Sequence, residues 1–267
     1  MKVKINAYLI VVLAVFFSIF SSFNATANLL ISPTRIVFDE RTRTAKVHII
    51  NNSDERRTYR LGWQEKAAKP SGGYEDLPAL TDSSLSPMVR MSPSQLTLAP
   101  GERQVVKLAI RKRKDLKAQE YRSHLQFKAL PNQKALSQKQ LGININMVLS
   151  YSIPVLYRAE KNTPTISITG VQVQQLDSLR VSLEKSGNYS SFGQFEVWFT
   201  PQNSDEPQRV AVQPHTSIYA ELQNAMVELR VIEGFKFNQK GTIKVNYIGQ
   251  QEYTGHTFAQ YSVPFSL

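Results

Sequence analysis

The sequence predicts an all-β protein made of two β-sandwich domains, and three observations predict it. Apolar residues alternate with polar ones in short runs from about residue 29 to residue 265, and no helical amphipathic segment of useful length interrupts them. Turn-forming clusters separate the runs: Asn51-Asn52-Ser53-Asp54, Pro70-Ser71-Gly72-Gly73 and Pro100-Gly101. One polar stretch, RAEKNTP from Arg158 to Pro164, breaks the pattern near the middle as a hinge between domains would.

The first 27 residues stand apart. Lys2 and Lys4 precede an apolar run from Ala7 to Phe20, and Ala25-Thr26-Ala27 offers a small-x-small cleavage site. This is the layout of a secretory signal peptide, and the run is short for a bilayer span, which needs ~20 apolar residues. Residues 28–158 then carry seven alternating runs: Leu29–Phe38, Ala45–Asn51, Thr58–Glu65, Gln95–Leu98, Gln104–Arg111, Tyr121–Leu130 and Leu141–Arg158. Short strands at this spacing argue for an immunoglobulin-like sandwich. Residues 159–267 hold a second set: Thr165–Val173, Leu179–Lys185, Gly193–Phe199, Arg209–Val212, Met226–Val231, Thr242–Tyr247 and His256–Phe265. They read as a second, more irregular β-sandwich.

The chain contains no cysteine, so an exported fold must be held by packing and sheet hydrogen bonds, without disulfides or thiol chemistry. Its formal charge of +11 becomes +9 without Lys2 and Lys4. The basic residues are scattered, and export argues against nucleic acid as a partner; acidic or carboxylate-bearing partners suit the charge better. The densest run, Arg111-Lys112-Arg113-Lys114, reads as a solvated inter-strand loop. The four histidines, His48, His124, His215 and His256, have no metal-ligand spacing, and the two that lie mid-strand, His48 and His124, are expected in hydrogen-bonded structural roles. No nucleophile elbow, phosphate loop or dinucleotide fingerprint occurs. No catalytic residue, metal site or cofactor is expected, and the chain is read as a non-enzyme.

One stretch asks for more explanation. In LGININMVLSYSIPVLYR, residues 141–158, every odd position from Leu141 to Val155 is large and apolar. As a single strand, at ~3.3 Å per residue, it would run about 50 Å, well beyond the core of one sandwich. Left in water, each surplus side chain forgoes ~1.5–3 kcal/mol of burial, and a bare apolar edge invites aggregation. The strand bends over both cores, or its outer end packs under the 66–86 loop, or it is offered to a partner's incomplete sheet.

Four separated segments bear on that choice: ISPTRIVF, AKVHIINNSDERRTYRLGWQE, MVRMSPSQLTLAPGERQVVKLAIRK and EYRSHLQFKALP. In this order they resemble the first domain of the periplasmic pilus and fimbrial assembly chaperones, the PapD-like family. The resemblance runs from about Leu30 to Arg158; the second half is similar only in being all-β and of suitable length. It implies two immunoglobulin-like domains set at an angle with a cleft between them. It implies periplasmic location, fimbrial subunits and an outer-membrane usher as partners, and insertion of apolar side chains into a subunit that lacks its last strand. The inserted residues would be Leu141, Ile143, Ile145, Met147 and Leu149. The resemblance further implies that Arg35 anchors the subunit's C-terminal carboxylate, and that Glu120 and Arg158 form an interdomain ion pair.

The family's second anchoring cation, a lysine, aligns here with Pro154, so it is missing, and the chain looks similar to a divergent, archaic or alternate branch. Arg122 is the replacement we expect, because pairing strands 121–130 and 141–155 across a loop at 132–140 would put it near Ser150–Ser152. The exposed stripe leads us to expect self-association of the free protein. The alternative function is an exported adhesion or ligand-binding module, which would need neither Arg35 nor the long stripe.

Overall fold

The computed structural model describes residues 29–131 and 149–266. The expected signal peptide, and Leu141, Ile143, Ile145 and Met147 of the apolar stripe, lie outside the described residues.

The first half folds as β1 (Leu29–Ser32), β2 (Ile36–Phe38), β3 (Thr44–Asn51), β4 (Arg57–Gln64), β5 (Lys66–Ala68), β6 (Tyr74–Asp76), β7 (Val89–Ser92), β8 (Gln95–Leu98), β9 (Arg103–Ile110), β10 (Glu120–Ala129) and β11 (Ser150–Arg158). Two sheets pack face to face, one in the order β1-β3-β9-β7 and the other β2-β11-β10-β4-β8. Alternate residues fill the space between them. Val47 and Ile49 of β3 and Val106, Leu108 and Ile110 of β9 meet Tyr59 and Leu61 of β4, Leu125 and Phe127 of β10, and Ile153, Val155 and Tyr157 of β11. Buried Asn51 closes one end, its Nδ2 donating to the carbonyls of Glu55, Leu98 and Ala99.

The second half contributes β12 (Thr165–Gln175), β13 (Ser178–Ser186), β14 (Ser191–Pro201), β15 (Gln208–Ile218), β16 (Asn224–Arg230), β17 (Gly241–Gly249) and β18 (Thr257–Phe265). Its sheets run β12-β13-β16 and β15-β14-β17-β18 and enclose a core rich in aromatic residues, with Phe195, Phe199, Phe237 and Tyr247 fully buried. The protein is thus all-β, two sandwiches in one chain.

The structure departs from the sequence reading in three places. The run 29–38 is two strands, not one: β1 joins one sheet through β3, and β2 joins the other beside β11. Pro33, which can donate no ladder hydrogen bond, marks the switch. Second, β7 was not read as a strand, because VRMS offers only one buried residue, Val89. Third, Pro70-Ser71-Gly72-Gly73 is the tip of an unforeseen β5–β6 hairpin, where Gly72 and Gly73 adopt φ values of 89° and 77°, a region glycine enters at little cost and residues with a Cβ enter with strain. This hairpin leaves the first half and lies along β16 of the second, Met226 N donating to Pro70 O at 2.7 Å.

Candidate functional site

The site lies on the outer face of the β2-β11-β10-β4 sheet, and register builds it. β10 and β11 pair antiparallel with Glu120 opposite Arg158, Arg122 opposite Leu156 and His124 opposite Pro154. β2 runs parallel to β11 with Ile36 beside Val155, so Arg35 comes alongside Pro154. Because Ile36, Tyr121, Leu125, Val155 and Tyr157 point into the core, their neighbours Arg35, Glu120, Arg122 and Arg158 point the other way, toward the second half.

Each of these charges is already engaged there. Arg35 presents its fork to Glu252, in the turn between β17 and β18: Nη2 donates to Oε1 at 2.7 Å and Nη1 to Oε2 at 2.9 Å. Its guanidinium also lies 4.4 Å from the ring centre of Phe192. The Arg35 side chain is 4 % exposed and that of Glu252 is 22 % exposed. Arg158 stands 3.9 Å from both Glu120 Oε2 and Glu252 Oε1, outside hydrogen-bond reach of either, and rests against the rings of Tyr189 and Tyr253. Glu120 instead accepts from Ser190, from Oγ at 2.7 Å and from the backbone N–H at 3.2 Å. Burial raises the pKa of the Glu120 carboxyl, and the Ser190 bonds, Arg158 and Arg35 oppose that shift.

Arg122 does not lie near Ser150–Ser152. Those serines pair with Lys128 and Gln126, and Arg122 faces Leu156, four residues beyond Ser152. The observed register, from Glu120 opposite Arg158 to Lys128 opposite Ser150, is not the one a loop at 132–140 would set. Arg122 donates to Glu221 Oε1 at 2.6 Å, to Glu221 Oε2 at 3.2 Å and to Lys66 O at 2.8 Å, with its guanidinium 3.9 Å from the ring centre of Tyr219. Around it the hairpin is fastened to the second half. Ala68 N donates to Glu221 Oε1 at 2.8 Å, and the Tyr74 and Tyr219 hydroxyls share a hydrogen bond of 2.9 Å.

Among the described residues neither histidine expected in a hydrogen-bonded role shows a side-chain hydrogen bond. His48 is exposed, and His124 is buried against the edge of Tyr74 with neither ring nitrogen hydrogen-bonded among the described residues. Burial, with Arg122 and Lys66 nearby, lowers its pKa to about 3. Leu149, at the start of the stripe's described part, is 40 % exposed, and its carbonyl accepts from Ala129 N at 3.1 Å.

The sequence, scanned against protein families, matches one described as the pili and flagellar-assembly chaperone, PapD N-terminal domain, over residues 28–162. The chain belongs to this family. It is a family of chaperones rather than enzymes, and membership gives this chain a chaperone's role in pilus assembly. No curated protein sequence matches it. Solved structures similar to the chaperone include the CupB2 chaperone of Pseudomonas aeruginosa, at 13% identity and a TM-score of 0.42, covering 89% of this chain and 100% of that one. A chain of the CsuC–CsuE chaperone–tip adhesion subunit pre-assembly complex, from archaic Csu pili of Acinetobacter baumannii, is 13% identical with a TM-score of 0.44, over 89% and 98% of the two chains. A chain of the Salmonella enterica SafA pilin–SafB chaperone complex is 13% identical with a TM-score of 0.46, over 89% and 97%.

Within this chaperone a cavity of about 630 Å³ opens where the two sandwiches meet, and Val37, Arg41, Arg158, Lys161, Glu252 and Tyr253 are among its lining residues. Glu252 and Glu221, the two acids that engage the first half's arginines, escaped the sequence reading. Both sit in turns, GQQEYTGH and YAELQN, where no periodicity distinguishes an acid aimed at a distant arginine from a solvated one. Glu252 thereby joins Glu120 and Arg158 in one group of charges at the junction.

Proposed function

We propose that this chaperone binds fimbrial subunits in the periplasm by strand donation and delivers them to an outer-membrane usher. One observation carries the reading. The described part of β11 ends at the rung Ser150–Lys128, while the sequence continues its apolar alternation through Leu149, Met147, Ile145, Ile143 and Leu141. Ile153, Val155 and Tyr157 serve the protein's own core, so the continuing stripe is the part available to another's. Alternate side chains would fill the subunit's open core while the backbone completes its sheet. Completing the subunit's fold supplies the binding free energy.

Arg35 is the anchor for the subunit's C-terminal carboxylate in this reading, since a guanidinium can hold a carboxylate through two charge-assisted hydrogen bonds. The position beside it in register is Pro154, which offers no second cation. We assign Arg122 to fastening the hairpin and the second half together rather than to the anchor, because Glu221, Lys66 O and Tyr219 engage it. Glu120 and Arg158 belong to the junction between the halves.

The test is capture of subunits by the tagged mature chain in its own periplasm. Wild type should bring down small β-subunits. Ile145→Asn with Met147→Asn should lose them while the chaperone's melting temperature stays within a few degrees. A large fall in melting temperature would make those side chains ordinary core residues and refute strand donation.

A further inference from the structure

Arg35 already holds a carboxylate in the described structure, and that carboxylate is the protein's own. Glu252 occupies both Nη groups of the fork in the end-on geometry a chain terminus would use. The unused edge of the guanidinium carries Nε, which is buried and without a hydrogen-bond partner among the described residues. No second carboxylate reaches Arg35 by that edge without movement of its surroundings. Glu252 also neutralises Arg35, so an added carboxylate meets no unpaired charge at the fork.

A place exists for Glu252 to go. Arg158 Nη1 is 3.9 Å from Glu252 Oε1, while Arg158 Nη2 donates to Asn162 O and Nε, facing Glu120, is buried without a partner among the described residues. Arg158 therefore sits beside two carboxylates and hydrogen-bonds neither. Rotation of Glu252 toward it would trade an Arg35 pair for an Arg158 pair and open the Arg35 fork. Glu252 has room for this, since it lines the cavity that Arg158 also lines.

We propose that Glu252 is an internal competitor for the carboxylate anchor, holding Arg35 closed until a subunit's C-terminal carboxylate displaces it onto Arg158. This rests on the anchoring role given to Arg35 above. Its consequence is selectivity. A ligand without a terminal carboxylate cannot displace Glu252, and each true ligand binds with its intrinsic affinity reduced by the fraction of molecules in which Arg35 is open. An Arg35–Glu252 pair formed in about nine molecules of ten lowers apparent affinity about tenfold.

The probe is a synthetic C-terminal peptide of the subunit that copurifies with wild type, prepared as the free acid and as the C-terminal amide. In titration calorimetry Glu252→Gln should bind the free acid roughly tenfold more tightly than wild type does and bind the amide unchanged. Arg158→Gln, which removes the landing site, should weaken the free acid and spare the amide. Equal free-acid affinity in wild type and Glu252→Gln, or equal gains for acid and amide, would overturn the proposal. Should Glu252→Gln melt early, Glu252→Asp, which keeps the charge but shortens the reach to Arg35, must show the same acid-specific gain. Failure of the underlying anchor looks different: wild type would not distinguish acid from amide, and Arg35→Ala would bind both as wild type does.

Discussion

Replacing Arg122 by alanine measures how firmly the two sandwiches are joined through the β5–β6 hairpin. The side chain is 9 % exposed and bridges three segments: the hairpin through Lys66 O, the second half through Glu221, and the Tyr219 ring. Glu221 is 37 % exposed, so solvent screens that pair and we take ~1 kcal/mol for it. The Lys66 carbonyl loses its guanidinium donor at about 1 kcal/mol. The guanidinium over Tyr219, with the arm's packing, is worth about 1 kcal/mol more. Arg122→Ala should therefore cost about 3 kcal/mol, far more than an isolated surface ion pair. The chain's two tryptophans report separately, Trp63 from β4 and Trp198 from β14. Urea unfolding followed by fluorescence, with each tryptophan in turn changed to phenylalanine, should show the two transitions moving apart in the variant as the halves uncouple. A loss below 1 kcal/mol with superimposed transitions would refute the account of the junction as an energetic clasp.

His124 is held neutral in the fold with its pKa lowered to about 3 from an ordinary 6.5. Its contribution is full above pH 6.5 and is lost as the pH falls toward 3, by ~1.4 kcal/mol per unit. In urea titrations, wild type should lose that much relative to His124→Phe between pH 6 and pH 5, and parallel stabilities would count against it. Glu120 has the opposite sign. Its pKa is raised above 4.5, so the stability it contributes is present below pH 4.5 and is lost as the pH rises through the folded value. Glu120→Gln should thus gain on wild type as pH rises from 4.5 toward neutrality, and a widening deficit would be the wrong sign. Gly193→Ala would drive a Cβ to 2.3 Å from Ile248 O and 2.8 Å from the Tyr247 ring, which is stacked on Phe195. We expect a loss of ~3 kcal/mol in the Trp198 transition, and a silent substitution would contradict this packing.

Strand existence was legible in the sequence wherever burial was one-sided. β16 reads NAMVELR and buries Ala225, Val227 and Leu229 alone, so its alternation can have only one meaning. Legibility failed where a fragment buries little: β7 buries Val89 alone, and β6, Tyr74–Asp76, is exposed throughout. It failed again where the choice between partners was not local. Arg35 and Arg122 could be picked out as arginines on strands, yet nothing near them in sequence names Glu252 and Glu221, which are separated from them by 217 and 99 residues. The misplacement of Arg122 has the same origin. Alternation decides which face a side chain takes, and the register that decides its opposite residue depends on loop length, which alternation does not encode.

The two junctions differ in a way that decides where the molecule can yield. At Arg122 the donors meet Glu221 and Lys66 O, a tyrosine ring covers the guanidinium, and the Tyr74–Tyr219 bond and the Met226–Pro70 backbone bond lie alongside. At the other junction Arg35 Nε, Arg158 Nε and Glu120 Oε1 are all buried without hydrogen-bond partners among the described residues. Unsatisfied buried polar atoms raise the free energy of the closed arrangement and leave an open one little to lose. Motion between the halves should therefore open at Glu252 and pivot at Glu221. Amide exchange follows directly: the 250–255 turn should exchange faster than the 219–222 turn, although each carries hydrogen bonds of its own. Subunit capture should then slow exchange at 219–222 little and change it at 250–255. The reverse order would place the hinge at the Arg35 end and remove the physical basis for Glu252 as a movable competitor.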